Sequence, residues 1–291
     1  MTYRKVISIV DLKKMKEDKK PITMVTAYDY PSALCCEEAG VDIVFVGDTV
    51  GMVVLGYDST IPVTLDEILH HTKAVTRGAK NSFVLADMPF LTYHGSIDVT
   101  LQNAGRLMQE GGAKAVKMEG GTEICHSVKA CVQAGIPVMG HIGLTPQAVN
   151  QIGGFKIQGR SLEQAQKLID DAKALEQAGA FAIVLEMVPE ELAQLISEQV
   201  TIPTIGIGAG RGCDGQVLVY HDLLQYASPL KAKFLKTYAN IGDTIVEAIS
   251  TFKNEVQNRQ FPAEDNVFHM NEEVIERLTV SDEHVDDEWK E

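Results

Sequence analysis

Six ionisable residues stand at or near the ends of short apolar runs: Asp48 after VDIVFVG, Asp87 after SFVLA, Lys117 and Glu119 within AKAVKMEGG, His141 after PVMG, and Glu186 after AIVL. An acid after a strand often serves only as the N-cap of the next helix. The contexts here differ: Asp48 leads into Thr49, Val50, Gly51 and a long loop, Asp87 leads into Met88 and Pro89, and only Glu119 lies close to a helix start, near Thr122. Carboxylates brought to one rim of low dielectric repel one another unless a cation sits among them. Oxygen-only donors select a hard cation, and Mg²⁺ commonly takes about one or two protein carboxylates while keeping water or substrate oxygens. The expectation is a divalent metal held directly by Asp48 and Asp87 and through a water by Glu119, with Lys117 reducing the surplus negative charge.

Lys117 and Glu119 are two positions apart, so a strand turns both to the same side and leaves Met118 as filler on the other. Lys117 reads either as a structural lysine paired with an acid or as the cation for a substrate carboxylate or enolate. His141 reads equally as a hydrogen-bonded core residue or a donor near the substrate. Glu186 reads as a first-turn charge, since Pro189 opens a helix, or as the base of the site; with the other acids committed to metal, the base is favoured.

These residues need a frame that collects strand ends. Apolar runs at 22–26, 42–46, 82–86, 115–118, 137–140, 182–185, 204–207 and 216–219 are short and nearly continuous, as parallel strands buried on both faces are. Amphipathic stretches alternate with them, the clearest over 162–178. Thr64 with Glu67 and Ser161 with Gln164 have the spacing of capping boxes. Gly40, Gly78, Gly135 and Gly179 fall where helices should end. Eight such βα units predict a closed (β/α)₈ TIM barrel, in which catalytic groups come from the C-terminal ends of strands.

The spacing of Gly210, Gly212 and Gly215 matches a dinucleotide fingerprint, but the following QVLVYHD reads as a strand, which excludes that reading. The glycine-rich loop binds phosphate or simply passes backbone close to a ligand. Residues 150–160, NQIGGFKIQGR, form a lid candidate at the mouth.

The 291 residues carry a formal charge of −14, of which 264–291 contribute −9. Nucleic acid and anionic membranes are therefore poor partners. The organisation expected is one barrel domain over 1–263, opened by a short helix that closes its bottom, and an acidic tail over 264–291, helical near Val274–Leu278 and frayed beyond. No stretch reaches the roughly 18 apolar residues of a membrane span, and no signal-type segment opens the chain, so a cytoplasmic location is expected. The five cysteines lack paired zinc spacing and read as buried reduced thiols.

Eight segments, TAYDYPSA, VGDTVGMVVLGYDSTIPVT, VLADMPF, VKMEGG, GHIGLTPQ, GGFKIQGR, IVLEMVP and IGIGAGRGCDGQVLV, together resemble, in order, the motifs of the ketopantoate hydroxymethyltransferase family. The resemblance covers about residues 8–269 and implies a barrel of the phosphoenolpyruvate/pyruvate-superfamily type. It implies a Mg²⁺-dependent transfer of the one-carbon unit of 5,10-methylenetetrahydrofolate to 3-methyl-2-oxobutanoate. Family metal acids fall on Asp48, Asp87 and Glu119, oxoacid contacts on Asp48, Thr49, Asp87 and Lys117, and the proton acceptor on Glu186. Thr49 departs from the more usual serine but keeps the hydroxyl. The resemblance further implies a homodecamer, a pentamer of dimers. Two competing readings are another metal-enolate barrel enzyme, such as an oxoacid lyase, and a noncatalytic oxoacid-binding scaffold with the tail as a docking arm.

Overall fold

The computed structural model describes residues 5–226 and 231–280. Eight parallel strands close on themselves in sequence order: β1 Ile22–Thr26, β2 Ile43–Val46, β3 Phe83–Asp87, β4 Ala115–Glu119, β5 Val138–Gly143, β6 Ala182–Glu186, β7 Thr204–Ile207 and β8 Gly215–Leu218. The barrel expected from the sequence is thus observed. Each strand departs from the expected limits by at most three residues, and the largest extension, in β5, takes in His141.

Strand parity decides what faces inward. Ile43, Phe45, Phe83, Leu85, Ala115, Met139, Ala182 and Val184 pack with Met24, Ile205 and Val217 in one apolar cluster inside the barrel. The alternate residues Val44, Val84, Val116, Met118 and Ile183 pack outward against the helices. Asp87, Lys117, Glu119, His141 and Glu186 continue the inward parity at the C-terminal ends. The register sets Asp87 beside Lys117 and Glu119 beside His141.

The opposite end is closed by the helix Ile9–Glu17, as expected. Ser8 and Asp11 form a complete capping box, and Leu12 and Met15 enter the inner cluster. Lys16 ties this helix down, donating to Ser197 O, Ile202 O and Asp214 Oδ2 at 2.8, 3.0 and 2.9 Å.

Some local expectations needed correction. Thr64 and Glu67 form a full capping box, but at Ser161 only half forms: its hydroxyl accepts the Gln164 N–H, while the Gln164 side chain turns to Arg160 N. Gly40, Gly135 and Gly179 have positive φ at helix ends, whereas Gly78 is the last residue of the helix Leu65–Gly78 and right-handed. Its role is close packing, because a Cβ there would meet Tyr30 O at 2.8 Å and Ala33 Cβ at 2.9 Å. All five cysteines are free thiols, yet only Cys36 and Cys131 are buried and Cys35 is exposed.

The chain divides into two compact units, one ending at Asn240 and the other beginning at Ile241. The second holds the helix Ile241–Gln257, in which no residue is buried, a 3₁₀ turn Glu264–Asn266 and the helix Glu272–Val280. The last includes the helical stretch expected over 274–278; the fraying expected beyond it lies outside the described residues. Among the described residues no helix is long and apolar enough to cross a membrane.

Candidate active site

The polar residues at the barrel mouth form one network. Lys117, buried, makes an ion pair of 2.9 Å with Asp87 Oδ1 and stands 3.6 Å from Glu119 Oε1. Its ammonium also lies 3.2 Å from His141 Nδ1 and over the Phe45 ring at 5.4 Å. Asp87 Oδ2 accepts the Asp48 N–H at 3.0 Å, which fixes the first residues after β2 against the end of β3. His141 bridges two acids: Nδ1 is 3.4 Å from Glu119 Oε1, and Nε2 is 3.3 Å from Glu186 Oε2. Glu186 is the more open member, with 17% of its side chain exposed against 1% for Asp87.

Charge explains how these groups titrate. Burial and the negative charges of Asp87 and Glu119 push Asp48 well above the usual carboxylate range, against the opposing pull of Lys117 and Gln147. Burial also raises Asp87; Lys117 opposes this and Glu119 adds to it. In Glu119 burial is outweighed by Lys117 and His141, so its pKa is lowered. For Lys117 burial favours the neutral amine, but Asp87, Glu119 and Asp48 prevail and hold it charged. His141 is raised: burial and Lys117 oppose its charge, while the adjacent carboxylates of Glu119 and Glu186 support it more strongly. The centre is a buried excess of carboxylate around one lysine.

Asp48, Thr49, Asp87, Lys117, Glu119, His141 and Glu186 all lie at this mouth, but Glu119 turns to Lys117, His141 and the Gln147 N–H rather than to Asp48. Among the described residues no three His, Cys, Asp or Glu side chains stand close enough to close on one metal ion. The two remaining acids, Asp48 and Asp87, are joined through the Asp48 N–H. Thr49 is half-buried, and its hydroxyl accepts from Tyr28 at 3.0 Å.

Sequence reasoning missed three residues. Gln147 donates to Asp48 Oδ2, Tyr93 is buried against both Glu119 and Gln147, and Tyr28 holds Thr49. The available signal was their position inside or beside quoted motifs, since Tyr28 lies in TAYDYPSA and Gln147 ends GHIGLTPQ. The lid candidate is a helical turn, Val149–Ile152, followed by irregular chain with Phe155 and Ile157 exposed. Its far end is tied to the site, since Gln158 N–H donates to the carbonyl of Met187, next to Glu186. The glycine-rich loop leads into β8, as expected, but the strand ends at Leu218 and YHD opens the helix Tyr220–Leu224; the loop's Arg211 N–H is already taken by Glu190.

Residues 6–264 match the family described as ketopantoate hydroxymethyltransferase. The chain belongs to that family. A 3-methyl-2-oxobutanoate hydroxymethyltransferase of Carboxydothermus hydrogenoformans is 59% identical over 272 residues, covering 94% of this chain and 99% of that protein. One from Bacillus cereus is 57% identical over 263 residues, covering 90% and 95%. Among solved structures the fold resembles a 2,3-dimethylmalate lyase, with TM-score 0.55, 16% identity and coverage of 94% and 95%. It also resembles a phosphoenolpyruvate phosphomutase of Streptomyces platensis, with TM-score 0.57, 16% identity and coverage of 95% and 96%. At that identity these two establish the barrel architecture and nothing of the chemistry.

Proposed function

We propose that this member of the ketopantoate hydroxymethyltransferase family transfers the one-carbon unit of 5,10-methylenetetrahydrofolate to 3-methyl-2-oxobutanoate, yielding 2-dehydropantoate, the first step of pantothenate synthesis. The observation that carries the site assignment is the buried surplus of negative charge at the mouth, where Asp48, Asp87 and Glu119 face a single lysine and Asp48 is driven toward protonation.

A hard divalent cation fits this donor set. Asp48 and Asp87 are all-oxygen donors, buried and linked, and a Mg²⁺ ion commonly needs only about one or two protein carboxylates. On this reading Asp48 and Asp87 hold Mg²⁺ directly and Glu119 acts through a water. When bound, the ion supplies charge stabilisation to oxygen atoms of the oxoacid.

The chain's own residues do the rest. Lys117, kept cationic by its three acids, offers a buried positive charge to the oxoacid oxygens, where a low dielectric makes it effective. Because Tyr28 donates to Thr49, the Thr49 O–H remains available to the oxoacid. The carbon beside the keto group must lose a proton before it can attack the folate methylene. Glu186, the most open acid of the network, accepts that proton, and His141 Nε2 stands 3.3 Å from its carboxylate. The free thiols are compatible with a reducing cytoplasm. We further read the protein as a homo-oligomer, a decamer built as a pentamer of dimers. The helix Ile241–Gln257 supports self-association, leaving Val246, Ile249 and Phe252 at 65%, 62% and 54% exposure on one stripe.

The test supplies Mg²⁺ and oxoacid with and without methylenetetrahydrofolate. Dehydropantoate formed only with folate, together with folate-independent deuterium exchange at the oxoacid C3, is the expected result. Carbon–carbon cleavage without folate would overturn the reading.

A further inference from the structure

Gln147 lies in the 3₁₀ turn Pro146–Ala148 and is 4% exposed. Its side-chain Nε2 donates to Asp48 Oδ2 at 2.8 Å and to Met88 O at 3.0 Å. Its Oε1 accepts from the Tyr93 hydroxyl at 2.7 Å, and its backbone N–H donates to Glu119 Oε2 at 3.0 Å. One residue therefore touches acids delivered by two different strands.

The orientation of this amide is dictated by its neighbours. A carboxylate and a carbonyl can only accept, so the amide nitrogen must face Asp48 and Met88 and the amide oxygen must face Tyr93. Tyr93 is fully buried, and its oxygen accepts the Glu119 N–H at 3.0 Å. The tyrosine thereby holds the amide from one side and the strand carrying Glu119 from the other.

We propose that Gln147 is a positioning residue for the metal-dependent reaction. It pins Asp48 Oδ2 with its side chain and Glu119 Oε2 with its backbone, leaving Asp48 Oδ1 as the oxygen presented to the divalent cation. The proposal rests on the Mg²⁺ reading given above. A strut that only fastened the turn to the barrel would be served by the bond to the Met88 carbonyl. Gln147 uses the same nitrogen to hold a carboxylate, and among the described residues it is the side chain hydrogen-bonded to the Asp48 carboxylate.

The test measures Mn²⁺ binding by electron paramagnetic resonance of the free ion, with the oxoacid present, for the full chain, Gln147→Met and Tyr93→Phe. Thermal unfolding and the kcat and KM for the oxoacid are measured alongside. Gln147→Met keeps volume and removes the donors; the expected result is Mn²⁺ affinity lower by on the order of ten-fold, the usual effect of losing a partner behind a metal ligand. Tyr93→Phe, which frees the amide to turn, should weaken Mn²⁺ binding in the same direction, and the double variant should lose less than the two single losses combined. Affinity and kcat unchanged in a folded Gln147→Met protein, with only the melting temperature lowered, would reduce Gln147 to a structural strut and overturn the proposal alone. Should Gln147→Met fail to fold, unchanged affinity in Tyr93→Phe overturns it equally. Absence of Mn²⁺ binding by the unsubstituted protein would sink the metal reading, and this proposal with it.

Discussion

Asp87 and Glu186 are both acids on inward strand positions, yet their surroundings differ. Asp87 is ion-paired to Lys117 and bonded to the Asp48 N–H, which places it, on the proposed reading, with the residues that would hold cation and oxoacid. Glu186 touches only the imidazole edge of this network and is open to the mouth. We therefore expect Asp87→Ala to abolish divalent-dependent oxoacid binding in calorimetry. Glu186→Gln should leave that binding largely intact and lower kcat by at least about 100-fold, the scale of a lost general base. Equal loss of binding in both variants would show that the base is misassigned. The inward positions of these residues at the strand ends were legible in the sequence because strand parity and strand ends are local properties. Gln147 and Tyr93 were not, since the partners of Gln147 lie 99, 59, 54 and 28 positions away and no periodicity in the chain announces such a meeting. The orientation of Glu119 was hidden for the same reason. Parity points its side chain inward, but whether it turns to Asp48 or to His141 depends on what the neighbouring strand brings beside it.

At the scale of elements, two joints hold the strand ends in place. Gly143, at the end of β5, has φ of +94°, and a Cβ there would sit 2.2 Å from the Glu186 carbonyl. Gly143→Ala should combine backbone strain with a clash, lower the melting temperature by at least about 5 °C and reduce activity. The second joint is Glu37 in the helix Tyr30–Glu38, which accepts from Asn81 N, Asn81 Nδ2 and Ser82 N just before β3. Burial tends to raise its pKa, but these donors outweigh it and hold it below the ordinary 4.5. A depressed folded-state pKa means the contribution to stability is complete above the unfolded value and fades as pH falls through the folded one. Glu37→Gln should thus cost about 1–2 kcal/mol at pH 7, and the gap from the parent should close as the pH drops well below 4.5. Chemical denaturation across that range checks both the size and the sign. The strands and the helix Leu162–Ala178 were legible because burial on both faces and helical periodicity leave repeating marks. The role of Gly78 was not, because a glycine that ends a helix and one that admits a neighbouring helix look alike in the chain.

At the scale of the whole molecule, the proposed self-association rests on the second unit. Val246, Ile249, Phe252 and Val256 recur at helical spacing on a helix with no buried residue. We expect Ile249→Glu with Phe252→Glu to lower the mass in multi-angle light scattering, because charge is costly in an apolar contact. An unchanged mass would exclude this stripe as the self-association surface. A different consequence comes from the inward ends of β3, β4, β5 and β6. Asp87, Lys117, Glu119, His141 and Glu186 sit within the hydrogen-bonded ladder itself, while the largely irregular segment 150–160 carries none of them. These five side chains are therefore placed by the strands and not by that segment. Side-chain substitutions confined to 150–160 should thus leave the backbone beneath these five groups undisturbed, so the rim there can be re-cut while the staves stay as they are.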